Sequence, residues 1–141
     1  MRKLIILSLF LIQALVMSAQ IDSFSDVAEK IRRLYENEVF GTAKDPDFKL
    51  SDICTADFLE RLEKANDYDT KGYAMWLLKS GMQDGDDSPS KVLSIKPGED
   101  DTVIVHWTDM GHKGSTTFKM MYTDGRWKIA DATVPPGFPP L

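Results

Sequence analysis

Cysteine is almost missing from this chain. Cys54 is the only one in 141 residues, so no disulfide can form within it and stability has to come from packing. Histidine is nearly as scarce. His106 and His112 stand alone, and neither shares ligand spacing with Cys54 or with the other, so no zinc or other metal site is expected. No run of basic residues occurs, and the formal net charge is −5, a poor balance for binding nucleic acid or an anionic membrane surface. A serine nucleophile elbow, a phosphate-binding loop, a dinucleotide fingerprint and a His-Glu-x-x-His pair are all absent, and no cofactor is expected. Only one long apolar run exists, Leu4–Val16. Its 13 residues fall short of the ~20 that cross a bilayer, so no permanent membrane anchor is expected.

That run has a different use. Arg2 and Lys3 precede it and Met17-Ser18-Ala19 follows it, the charged, apolar, small-residue order of a cleavable export signal. The expectation is a signal peptide over residues 1–19, cleavage near Ala19/Gln20, and a periplasmic or secreted product. Cleavage removes two basic residues and no acidic one, leaving a net charge of −7. What remains is long enough for one core and too short for two, so residues 20–134 are expected to form a single domain.

The first half of that domain reads as helical. Phe24, Val27, Ala28, Ile31, Leu34 and Tyr35 recur at spacings of three and four, with Ser23 and Asp26 suited to a capping box and Gly41 to a stop. A second helix is expected from about Thr55 to Ala65, with Thr55 as N-cap and Phe58, Leu59 and Leu62 on the buried stripe. Cys54 then packs beside that helix entry as an apolar residue. A short helical stretch over Tyr73–Lys79 follows, ended by the Gln83–Pro89 segment. Asp84, Asp86 and Asp87 in that segment lack the ligand order of a calcium loop and read as a solvated turn.

The second half changes period. Lys91–Lys96, Thr102–Thr108, Ser115–Tyr122 and Arg126–Thr133 are strand candidates. Asp124-Gly125 signals a tight hairpin pairing Tyr122 with Trp127, Met120 with Ile129 and Phe118 with Asp131. A six-residue loop, Asp109–Gly114, is expected to set Thr108 opposite Ser115. Val103, Val105 and Trp107 then join Phe118, Met120, Tyr122, Trp127 and Ile129 on one apolar face, with Ile104 and His106 on the other. Residues 135–141, rich in proline, cannot continue a sheet and read as an extended segment lying along the body or trailing in solvent. The fold class is α+β, N-terminal helices packed on an antiparallel sheet of about four strands.

The long first helix, the Thr55-Ala56-Asp57-Phe58-Leu59 helix start, and the strand signatures Val103–Asp109 and Met121–Asp131 resemble exported bacterial domains of unknown function in the nuclear transport factor 2-like superfamily. The resemblance spans residues 24–134. It implies a cone-shaped fold with a strongly curved sheet and a pocket between helices and sheet, and it implies no particular reaction.

Three functional readings follow. The leading one is a non-enzymatic binding module for a small apolar ligand or a protein partner. Its pocket candidates are Tyr35, Trp76, Trp107, Phe118, Tyr122 and Trp127, aromatics whose strand and helix spacing more often marks plain core. The second is a cone-type isomerase, dehydratase or hydrolase. Its catalytic candidate is Asp131, which the expected register places on the apolar face as a desolvated acid or base beside Tyr35 or Tyr122. The third is an oligomer-forming domain that uses a sheet surface as a homodimer interface.

Overall fold

The computed structural model describes residues 24–67, 71–81 and 85–141. The expected export signal, the Ser23 cap and Asp84 lie outside them. Helix α1 is α-helical over residues 24–34 and widens to a π-helical turn over Tyr35–Val39. Its stripe is buried as the spacing requires, at Val27, Ile31, Leu34 and Tyr35, and Gly41 ends it at φ 65°. Asn37 secures the widened turn, donating to the Arg33 carbonyl and accepting from the backbone N–H of Asp45. Arg33 also pairs with the Asp45 carboxylate.

Helix α2, Ala56–Lys64, begins at Thr55, whose Oγ1 accepts from the backbone N–H of Phe58 at 3.1 Å. Phe58 and Leu62 are its buried face. The third helical expectation shrinks to a single 3-10 turn, Met75–Leu78. Gly72 at φ 139° and Gly81 at φ 73° flank the segment, and the Trp76 carbonyl closes it by accepting from both Lys79 and Gly81. The eight residues between these glycines are too few to sustain a helix of their own.

The sheet is an antiparallel meander of β1 (Lys91–Pro97), β2 (Thr102–Asp109), β3 (His112–Thr123) and β4 (Arg126–Ala132), in the order β1-β2-β3-β4. Two registers differ from expectation. Between β2 and β3 the loop is only Met110-Gly111, both at positive φ, and Thr108 faces Lys113 rather than Ser115. Met110 is a residue seldom found left-handed, so no local signal marks the turn. The correction is a shift of two, so each side chain keeps its face, and Val103, Val105 and Trp107 are buried as expected.

The β3–β4 hairpin turns at Asp124-Gly125, both at positive φ, with Tyr122 opposite Trp127 and Met120 opposite Ile129 as expected. Past that point a bulge intervenes. Lys119 faces Asp131 and Phe118 faces Ala132, so Asp131 moves from the expected apolar face to the opposite one.

The two helices pack against the inner face of this sheet. Tyr35, Phe58, Phe118, Val105 and Ile129 are fully buried at the centre, and the Tyr35 and Phe118 rings meet edge to face at 6.2 Å. The approach to α2 also guards the β4 edge. Cys54 bridges Ile129 in parallel, with Ile129 N–H donating to the Ile53 carbonyl and Thr55 N–H to the Ile129 carbonyl.

Candidate functional site

The aromatic pocket candidates do not gather around one cavity. Tyr35 and Trp107 belong to a buried polar chain. Trp107 Nε1 donates to Thr116 Oγ1 at 3.0 Å, Thr116 Oγ1 donates to the Leu78 carbonyl at 3.0 Å, and Tyr35 Oη donates to the same carbonyl at 2.6 Å. The chain ties α1, the 3-10 turn, β2 and β3 together and satisfies an otherwise orphaned carbonyl. Burial pushes the Tyr35 phenol far above its usual range, against a smaller opposing effect of Thr116, so it acts as a fixed donor. Phe118 is packed in the core. Tyr122 and Trp127 pair edge to face at 5.3 Å at the far end of the hairpin, where Tyr122 is 60% exposed.

Trp76 is placed differently. It lines a cleft of about 350 Å³ between α2, the 3-10 turn and the C-terminal residues. Leu77, Phe138, Pro139, Pro140 and Leu141 supply most of the apolar wall, and Arg61, Lys64, Ala65 and Asp67 complete it. The tail lies along the body, one of its two expected placements, but turns at Pro135–Phe138 instead of staying extended. Phe138 N–H donates to the Pro135 carbonyl, and the Phe138 ring sits where a side chain at Gly81 would be, 2.5 Å from the position of an added Cβ.

Arg61 is the post on which this region stands. Its guanidinium donates to Asp57 at 3.0 Å, to Asp131 at 3.1 Å, to the Leu141 backbone oxygen at 3.4 Å and to the Ala130 carbonyl. That engages four of its five N–H donors and binds α2, the β4 bulge and the tail into one unit. Asp131 thus faces Lys119 and Arg61, its carboxylate also accepting from Ala132 N–H, and it is not among the residues lining the cleft. Lys64 pairs with Glu60 at 3.0 Å across exposed helix surface, a weak partnership that a ligand can exchange.

One buried carboxylate is absent from the sequence expectations. Asp109, fully buried, accepts from Ser80 Oγ at 2.5 Å, Ser90 Oγ at 2.8 Å and Lys79 Nζ at 3.4 Å. Burial opposes its ionisation, yet the two hydroxyls and the ammonium together hold its carboxyl below the usual range. The alternation of β2 carries the signal: Val103, Val105, Trp107 and Asp109 share the inward parity. The cluster joins the end of β2 to the segments before β1, inside the protein.

Cys54 is buried, and desolvation, little offset by Lys128, pushes its thiol up to about 12, so it is not a thiolate at neutral pH. His106 and His112 are exposed, as are Asp86 and Asp87. Among the described residues no group of three His, Cys, Asp or Glu side chains could hold a metal ion. No described helix is long and apolar enough to cross a membrane.

Fold and site together define a small α+β protein with an apolar cleft beside α2. The chain matches no family model, no curated protein and no solved structure.

Proposed function

We propose that the protein is an exported, non-enzymatic binding module whose cleft takes a small apolar ligand. The observation that carries this is the cleft itself. Its volume, about 350 Å³, is that of a small-molecule site, and Trp76 and Phe138 wall it with aromatic surface. Arg61 supports the wall through bonds it already makes, and Lys64 stands at the lining as the cation with the weaker partner. Asp131, turned to Arg61 and Lys119, supplies no acid or base to this space, so the binding reading is favoured over the enzymatic one.

The order of two helices followed by a four-stranded meander supports the finer assignment to the nuclear transport factor 2-like cone. The charged, apolar and small-residue order of residues 1–19 supports export to the periplasm or beyond.

Thermal melting against a panel of apolar carboxylates and aromatic compounds tests the ligand reading. At least one compound is expected to raise the melting temperature of the wild type and to lose that effect in Phe138→Ala. A panel that shifts neither protein, or both equally, would exclude the cleft as a ligand site.

A further inference from the structure

The sheet sorts its charges by face. From residue 91 to the C-terminus the chain holds six basic residues, Lys91, Lys96, Lys113, Lys119, Arg126 and Lys128. The registers put all six on the outer face. Lys91 and Lys113 flank Thr108, Lys96 flanks Ile104, Lys119 flanks Thr102, Lys128 faces Met121 and Arg126 faces Thr123. His106 shares that face and is exposed. The acids of the same stretch lie elsewhere. Glu99, Asp100 and Asp101 precede β2, Asp124 is in the hairpin turn, and Asp109 is buried on the inner side. Asp131 alone shares the outer face, and Arg61 holds it. None of the six cations is in an ion pair among the described residues.

From this sorting we infer that the outer sheet face docks on an anionic phospholipid surface. Three inter-strand spacings and the run from Lys113 to Thr123 give a face roughly 14 Å wide and about 33 Å long. Each cation near such a surface contributes about 1 kcal/mol. Lipid is favoured over a soluble polyanion by an apolar group on the same face. Met121, 52% exposed, stands opposite Lys128. An exposed methionine gains from contact with acyl chains, whereas a soluble polyanion gains nothing from it.

Co-sedimentation of the full chain with vesicles tests the inference. Partition is read as the ratio between vesicles of equal parts phosphatidylglycerol and phosphatidylcholine and vesicles of phosphatidylcholine alone, so any contribution from the apolar residues 4–16 is common to both. The ratio is expected to exceed one by a wide margin and to collapse at about 0.5 M salt. Lys96→Gln with Lys119→Gln should lower it about 30-fold. Lys44→Gln with Lys49→Gln, equal in charge and away from the sheet, should leave it unchanged. A ratio near one, an equal loss in both double variants, or capture by soluble dextran sulfate without any vesicle preference would each overturn the inference. Unchanged melting temperatures for both double variants confirm that folding is not what is being read.

Discussion

Asp109 shows how much of one residue's role depends on its neighbours. A lone carboxylate on an inward strand position would be forced toward its neutral form. Here Ser80, Ser90 and Lys79 converge on it and keep it ionised. Because its folded pKa lies below that of the unfolded chain, its stabilisation is complete above about pH 4 and is lost as the pH falls through the folded value. Asp109→Asn is therefore expected to cost about 1–3 kcal/mol at neutral pH. The gap between the two melting temperatures should stay constant from neutral pH down to about pH 5 and narrow at more acidic pH. A gap that widens on acidification would show that the carboxylate is not held ionised. Tyr35 and Trp107 make the same point from the apolar side. Their spacing marks them as inward-facing, but only the Leu78 carbonyl, reached by Tyr35 directly and by Trp107 through Thr116, shows that they brace the core instead of lining a cavity.

At the scale of elements, legibility depended on where the information is local. The α2 boundaries were readable because Thr55 carries its own cap, and the Asp124-Gly125 turn because its residues tolerate positive φ. The Met110-Gly111 turn was not, since Met110 gives no such sign. That error was harmless to the faces because it was even, whereas the single-residue bulge beside Ala130 moved Asp131 across the sheet. The β2–β3 hairpin yields a test of packing. A Cβ on Gly114 would lie 2.6 Å from Trp107 Cη2 and 2.9 Å from Cζ2. Gly114→Ala should thus displace the buried indole and lower stability by about 1–3 kcal/mol, read as a fall in the urea midpoint. A change below ~0.5 kcal/mol would mean that the indole has room to move.

For the whole molecule, net charge conceals the distribution. A chain with 22 acidic and 17 basic residues presents a sheet surface whose charged side chains are six cations and one carboxylate. No basic run announces it, because alternation spaces the lysines through four strands and intersperses them with core residues. Export belongs to this scale as well. Expression in a bacterial host followed by N-terminal sequencing is expected to recover a product beginning near Gln20 from outside the cytoplasm. A product that retains Met1 and stays in the cytoplasm would refute it.

Periodicity, capping and turn chemistry are local properties. For that reason the amino-acid order alone determined the α+β class, the buried stripes of both helices, the four strands and the inward set of β2. Tertiary structure decided what local chemistry does not encode. It folded the proline-rich tail against Gly81 to wall a cleft, brought Arg61 onto Asp131 across 70 positions of sequence, and assembled scattered lysines into one face. Each of these joins residues distant along the chain, and their positions follow only from how the helices and sheet close on a common core.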